Sequence, residues 1–430
     1  MRWVSTVRGL MRSFSATSGL LWPSAAAAMR RRDFVGSRTK RGVRNIAGEA
    51  SQRLRCGPGR AGIRKTLTPR MPPAEPYLLP PVTCERLAAL GARAGGTVEG
   101  RSGDGVLRVE YALPVHATEE VREFFRPSAT AESEPDFVAR LPGGRVFGSG
   151  NVLSADGRAI ARDVSWDFGK AFEEHWLLSY KKIRRPVPLD GTVAVVATTL
   201  GAGYSHWLLE EWPRLLALGP SGGGAGKMIV HATQPYARAA LALHGWQGEV
   251  IEPGRYAHYV CEQLVVPSMP GSEGRPTPEV VARVRAGVAP WPDAGASPGG
   301  ERIYVTRERA RRRRVANEAE LWAQLERRGF VKLRLEALTW REQIHAFRRA
   351  KVVVAPHGAG LANLVFCEAG TRVVEFFNRA YVNGNFWRLA ALRGLDYRPV
   401  VAAGAEPLAQ IAAQGREDIV VDVPAVMRAV

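Results

Sequence analysis

The chain is poor in cysteine and in long apolar runs. Its 430 residues hold four cysteines, Cys56, Cys84, Cys261 and Cys367, far apart and with no Cys-x-x-Cys pair. That spacing argues against a disulfide scaffold and a structural zinc site, and for reduced thiols. No stretch of about 18 apolar residues occurs, so no membrane-spanning helix is expected. What remains is 46% hydrophobic and 23% charged residues. That is the composition of a folded globular chain, not of a disordered, collagen-like or mucin-like one. At roughly 100–200 residues per domain, the length predicts two or three domains.

Acidic residues are also scarce, and the net charge is +19. The excess is local. Residues 1–72 hold 16 Lys and Arg against two acids, a net +14, which leaves +5 for the other 358 residues. Three readings of this tail compete. Arg2, Arg8 and Arg12 before the uncharged stretch 13–29 suggest a targeting segment, but Ser13, Ser15, Thr17, Ser18 and Gly19 make a poor apolar core for one. A basic arm for nucleic acid or anionic lipid is the second. The third, which the composition favours, is a disordered basic extension over 1–72, with Met29 and Met71 as alternative starts.

Beyond the tail, short apolar runs alternate with helical spacings. Residues 76–190 read as mostly strands and loops. Thr192–Thr198 is a β-branched run, and Ser205–Leu218 has helical spacing through Leu208, Trp212, Leu215 and Leu216. Strands follow at Met228–His231 and Gln263–Val266, with a helix at Tyr236–His244. Residues 287–301 are rich in Pro and Gly and read as a linker. Strands are then predicted at Arg302–Thr306, Val331–Leu335, Lys351–Ala355 and Arg372–Phe376. Helices are predicted at Glu318–Arg328, Arg341–Arg349 and Gly360–Phe366. This alternation predicts parallel sheets covered by helices, with an α/β domain over 73–290 and a second over 300–430. The default ligand site is the cleft between them, at the carboxyl ends of the strands.

Four places carry chemistry. Pro356-His-Gly-Ala-Gly-Leu-Ala-Asn363 follows a strand and opens a helix. Gly358 and Gly360 allow close approach to a phosphate or diphosphate, and His357 could add a donor. A plain strand-to-helix turn would explain the same pattern. Glu375 lies inside a run that otherwise reads as a buried strand. A ribose with two hydroxyls would justify it, as would a salt bridge to Arg372 or Arg379. Arg307 follows the first strand of this half, where a guanidinium fork matches phosphate oxygens; Arg311–Arg314 could equally be a solvated loop. Asn317-Glu-Ala-Glu320 reads as a capping box. In the first half, His206 and Glu210 are four apart on one helical face, after the Gly-rich turn 201–203. They make a candidate general-base pair, against the alternative of a His bonded to a loop carbonyl. Pro213 should kink this helix or open a new turn. His175, beside Glu173 and Glu174, and His231 are the other histidines considered.

Three ordered segments together resemble family 61 glycosyltransferases. They are Tyr204–Leu216 (YSHWLLEEWPRLL), Arg302–Arg307 (RIYVTR) with Arg313–Glu318 (RRVANE), and Val353–Asn363 (VVAPHGAGLAN) with Thr371–Glu375 (TRVVE). The likeness covers roughly residues 140–395. It departs slightly, with Thr306 where Ser is common and Glu210-Glu211 where Asp-Glu is common, and the tail has no counterpart. The resemblance implies a GT-B-like fold, two facing Rossmann-like domains with a ligand cleft between them. It also implies inverting transfer from a nucleotide-sugar donor to a glycan or lipid-linked glycan acceptor, in bacteria usually for capsule or other cell-surface polysaccharide. Carried over by position, the catalytic candidates are His206, Glu210 and Glu211. The donor-binding candidates are Arg307, Arg313, Asn317, Glu318, His357, Gly358, Ala359, Gly360, Leu361, Asn363 and Glu375. No Asp-x-Asp sequence occurs, so metal-independent transfer is expected, with cations and helix dipole stabilising the leaving diphosphate. No cofactor is expected, nor a nucleic-acid partner, and the setting is cytoplasmic, with peripheral contact at the inner membrane left open. Two other classes stay open: a basic RNA-binding protein on an α/β scaffold, and an α/β dinucleotide oxidoreductase. The near-neutral charge of 73–430 counts against the first. The missing Gly-x-Gly-x-x-Gly after an early strand counts against the second.

Overall fold

A computed structural model describes residues 77–100, 106–271, 275–291, 299–410, 415 and 417–430. The tail reading and the middle of the expected linker lie outside the described residues. Residues 72–430 form one compact unit, whose described residues hold two large sheets, of ten and five strands, and one two-stranded sheet.

The first sheet grows from short strands. In chain order they are β1 (Thr83–Glu85), β2 (Thr97–Gly100), β3 (Leu107–Glu110), β4 (Thr130–Ser133), β5 (Phe137–Pro142) and β6 (Arg145–Phe147). There follow β7 (Asn151–Leu153), β8 (Ala159–Ala161), β9 (Val187–Val195), β10 (Lys227–Ile229), β11 (Glu249–Ile251) and β12 (His258–Pro267). All but β3 and β4, which pair with each other, join one sheet along the path β1-β8-β7-β6-β12-β9-β10-β11, with β5 and β2 branching from β12. The parallel arrangement expected of this half holds for β12, β9, β10 and β11. Around β5, β6 and β7 the pairing is antiparallel. The reason is loop length: residues 148–150 between β6 and β7 are too few for a crossover. Gly148 and Gly150 make that turn at φ 61° and 94°, open only to glycine without strain.

The second sheet is wholly parallel. It comprises β13 (Arg302–Val305), β14 (Val331–Leu333), β15 (Val352–Pro356), β16 (Arg372–Phe377) and β17 (Asp396–Val401), in the order β14-β13-β15-β16-β17. The chain reverses its direction of travel between β13 and β15. In an open α/β sheet the loops leaving the carboxyl ends of two such strands diverge and make a crevice. Helices Glu318–Glu326 and Trp340–Arg349 connect the strands. A capping box does occur, but at Thr339 and Glu342. At Asn317 the side chain makes no cap bond; its amide donates to the Val421 carbonyl and accepts from the Val421 N–H instead.

Side-chain alternation places the core. Ala194 and Val196 face a central apolar layer, while Val193 and Val195 face an outer one. On the second sheet Ile303, Val353 and Val373 point into the same central layer, and Tyr304, Val354 and Val374 point outward. Both sheets therefore share one core. At its middle the Trp340 ring meets Trp207, Trp212 and Trp291 at centroid distances of 5.7, 5.8 and 5.2 Å, all near edge-to-face.

A chain of hydrogen bonds fixes the same junction. The Trp340 Nε1–H donates to the Tyr204 hydroxyl at 3.1 Å, and that hydroxyl donates to Asn363 Oδ1. Asn363 Nδ2 donates to Gln343 Oε1, and Gln343 Nε2 to the Leu335 carbonyl. Each polar group finds its partner inside the protein, and Tyr204 ties the start of the 204–217 helix to the loop after β15. Removing the hydroxyl leaves one acceptor and one donor unsatisfied. Tyr204→Phe should therefore cost about 1–3 kcal/mol of stability, read as a lower urea midpoint at an unchanged slope.

Candidate active site

The helix that begins at Tyr204 is built in three pieces. Tyr204–His206 is α-helical, Trp207–Glu211 is a single π-helical turn, and Trp212–Ala217 is α-helical with Pro213 near its start. Pro213 does not kink a helix interior; it opens the last piece, where a missing N–H is harmless. The π turn shifts the register at two adjacent glutamates, and both end up buried.

Glu210 pairs with His206, Nδ1 to Oε1, at 2.6 Å, and accepts a hydrogen bond from Thr198 Oγ1 at 3.0 Å. An ionised carboxylate only accepts, so the proton of the pair belongs on Nδ1 and Nε2 keeps its lone pair. Burial disfavours charge on His206, but the Glu210 carboxylate outweighs it and the pKa is raised. His206 is the partly open member of the pair, and its ring packs edge-on against Phe168.

Glu211 turns the other way. It accepts from the Thr198 backbone N–H at 2.8 Å and pairs with His231 Nδ1 at 2.6 Å. It is 1% exposed and its pKa is raised by burial. A Cβ on Gly201 would sit 1.6 Å from its Oε1, so glycine is required there by packing. The catalytic role expected of Glu211 is thus corrected: it clamps the loop after β9 to His231 and reaches no open surface. His175 is buried as well, with its pKa lowered to about 3 by burial, and its ring nitrogen caps the turn at Leu177.

On the second sheet, the loops leaving β13 and β15 meet at the reversal point. Arg307 follows β13. Its Nε and Nη2 donate to the carbonyls of Arg313 and Arg312 at 3.2 and 3.0 Å, and Nη1 reaches Gly358. A Cβ at position 358 would lie 2.2 Å from that nitrogen, so the Gly358 side is kept bare for the guanidinium. Gly360 is needed for packing, because its Cβ would strike Leu335 at 2.6 Å. Arg313 lies over the Tyr381 ring at 5.2 Å and donates to the Gly415 carbonyl at 3.0 Å. Its φ of 53° makes it the one non-glycine residue in the left-handed region among the described residues. Such strain persists where the surroundings enforce it, and it gathers at functional sites. Among the described residues no carboxylate pairs with Arg307 or Arg313. Burial, with Arg313 and Arg312 adding to it, lowers Arg307 to about 10; burial lowers Arg313 too. Glu336 acts on Arg307 and Glu375 on Arg313 only through space, so among the described residues neither guanidinium has a carboxylate in direct contact.

Beside them, His357 Nδ1 pairs with Glu375 Oε1 at 2.6 Å, and Tyr397 donates its hydroxyl to Glu375 Oε2 at 2.6 Å. Glu375 is completely buried. The salt-bridge reading for it is corrected, since Arg372 pairs with Asp396 and Arg379 with Glu120, and both its oxygens are taken by His357 and Tyr397. Its work is to hold His357. Four further donor-side candidates are also internal. Glu318 Oε1 accepts from the Tyr304 and Thr306 hydroxyls, Asn317 grips Val421, Asn363 grips Tyr204, and Leu361 is 1% exposed. Ala359 starts the segment Ala359–Phe366, which is a 3₁₀ helix and not the expected α-helix. Of the Arg run, Arg314 pairs with Asp418, and Arg311 and Arg312 are exposed. Thr198, Tyr381 and Tyr397 were not predicted, and His231 was considered only as another histidine and not as the partner of Glu211. They lie on other elements, and no spacing along the chain announces them.

Compared with known proteins, residues 204–374 match the family model described as Glycosyltransferase 61, a span that includes His206, Glu210, Arg307, Arg313 and His357 and ends one residue before Glu375. Over 67 residues the chain is 31% identical to beta-1,2-xylosyltransferase RCN11 of Oryza sativa subsp. japonica, a stretch covering 16% of this chain and 13% of that one.

The His206–Glu210 pair has a consequence in solution. With the folded pKa above the unfolded value, the ionised pair stabilises the fold at acid pH. That contribution fades as pH rises through the folded pKa. Glu210→Gln should bring the His206 titration down by about one to three units, followed by imidazole resonances in NMR. An unmoved titration would mean the carboxylate does not charge the ring.

Proposed function

We propose that this chain, which carries a family 61 glycosyltransferase domain over residues 204–374, moves a sugar from a nucleotide-sugar donor to a hydroxyl acceptor with inversion at the anomeric carbon. The observation that carries the reading is the pairing of two unlike clusters across one core. One is a carboxylate-held imidazole, and the other is a pair of guanidinium groups with no carboxylate in direct contact among the described residues. The Tyr204–Asn363 bond joins the elements that bear them.

In this reading His206 Nε2 takes the proton from the acceptor hydroxyl while its oxygen attacks the anomeric carbon. The bond from that carbon to the diphosphate oxygen breaks, and the electron pair leaves with the diphosphate. Glu210 keeps His206 in the tautomer that can accept a proton and offsets the charge that forms. Arg307 and Arg313 take the negative charge of the leaving group, with Gly358 leaving room for the Arg307 guanidinium. Cations supply this stabilisation in place of a divalent metal. The layout we assign is GT-B-like: the sheet β13–β17 is the donor half and the sheet around β9 the acceptor half. The setting we assign is bacterial cell-surface polysaccharide assembly on the cytoplasmic side, at most peripheral to the inner membrane. Among the described residues no helix is long and apolar enough to cross a membrane.

A hydrolysis screen across nucleotide sugars tests the activity, with the xylose donor included because the rice relative is a xylosyltransferase. Arg307→Ala should weaken donor binding by about 1.5–3 kcal/mol, measured by calorimetry. His206→Ala should lower turnover by about 10²–10⁴-fold while donor binding stays close to the parent, and its melting temperature should fall because the buried Glu210 loses its partner. Because the base must be neutral to act, the acid limb of kcat against pH should move to lower pH in Glu210→Gln. Activity should survive EDTA; turnover restored only by manganese or magnesium would overturn the metal-free step.

A further inference from the structure

The mechanism leaves one large feature unused. A cavity of about 240 Å³ opens on the first sheet, away from the arginine pair. Its apolar walls include Phe137, Trp166 and Phe172. Its charged walls cancel: Arg86, Arg162 and Lys170 stand against Glu132, Glu134 and Asp163. Much of that charge is already engaged. Arg86 pairs with Glu134 and lies over the Phe172 ring, and Arg162 donates to carbonyls of residues 165, 167, 170 and 174. Asp163 is half-buried and accepts the Leu87 N–H with both oxygens, which leaves each oxygen further acceptor capacity. Burial raises its pKa to about 6.

The cavity leads toward His206. Trp166 and Met269 line it and also line a smaller cavity that reaches Thr198 and Glu210. The Trp166 ring meets Phe168 at 5.8 Å, and Phe168 meets the His206 ring at 5.8 Å. A hollow with aromatic walls, fixed polar groups and no net charge suits a neutral sugar ring, whose faces are weakly apolar and whose rim carries hydroxyls. A free anion would bring charge that nothing here neutralises selectively.

We infer that this cavity holds the acceptor as a neutral saccharide, with Phe172 and Trp166 against the ring and Asp163 accepting from its hydroxyls. The inference rests on the glycosyltransferase reading for the word acceptor, but the binding itself can be measured without it. Methyl β-glucopyranoside and methyl β-galactopyranoside serve as neutral probes, methyl β-glucuronide as the anionic comparator, with saturation-transfer NMR on the full chain. The neutral glycosides should bind the parent and bind Phe172→Ala and Asp163→Asn at least about ten-fold more weakly, as loss of a packed ring or a charged hydrogen bond requires. Asn keeps an oxygen for the Leu87 N–H, so this second variant separates ligand loss from misfolding, and near-UV circular dichroism checks both. Equal binding to parent and variants, or binding of the glucuronide alone, overturns the inference. Donor hydrolysis without acceptor reports the family reading by itself. Its absence in the parent would sink that reading while glycoside binding still decides the cavity.

Discussion

The Tyr204 hydroxyl accepts from an indole and donates to an amide, and the placement of both clusters depends on it. It stands at the first residue of the helix that carries His206 and Glu210. Its amide partner, Asn363, stands in the 3₁₀ helix that follows His357 and Gly358. A buried hydroxyl that loses either partner forfeits about the full desolvation cost of the group left behind, so the two elements hold one relative position. The Trp340 knot supplies area around this point, and the hydrogen bonds supply register.

Electrostatics divides the site into two kinds of debt. Glu210, Glu211 and Glu375 are all buried, and each is matched by a histidine at 2.6 Å. Breaking one of these pairs would leave a charge uncompensated inside the protein. Arg307 and Arg313 are the opposite case, since their guanidinium groups contact carbonyls and an aromatic face and feel Glu336 and Glu375 only through space. The closed pairs build the scaffold, and the two arginines stand without a direct ionic partner among the described residues. The three histidines look alike in sequence, yet exposure separates them. His206 is partly open, while His231 and His357 are 9% and 6% exposed.

Much of this was legible along the chain where the partners are close in sequence. Four of the five strands from residue 302 onward were located to within two residues at each end, because β-branched runs there are bounded by Gly, Pro or charge, while Asp396–Val401 was not predicted. His206 and Glu210 were found because one helical turn separates them. Legibility failed where the partner is distant. Glu375 meets Tyr397 from the neighbouring strand, Glu211 meets His231 across twenty residues, and Asn317 meets Val421 across 104. Register between strands, not spacing along one, decides such pairs. The antiparallel part of the first sheet was unreadable for another reason: strands of three residues carry too little alternation to show a period.

The indole arrangement gives the molecule something beyond packing. Trp207 and Trp212 lie nearly coplanar in orientation, 17° apart with centroids 6.1 Å apart, and Trp340 from the other sheet stands at 88° and 89° to them. Chromophores this close and this fixed share their excited states, and the sharing depends on the angle between sheets. The protein therefore carries its own optical goniometer, buried in the core that the two large sheets share.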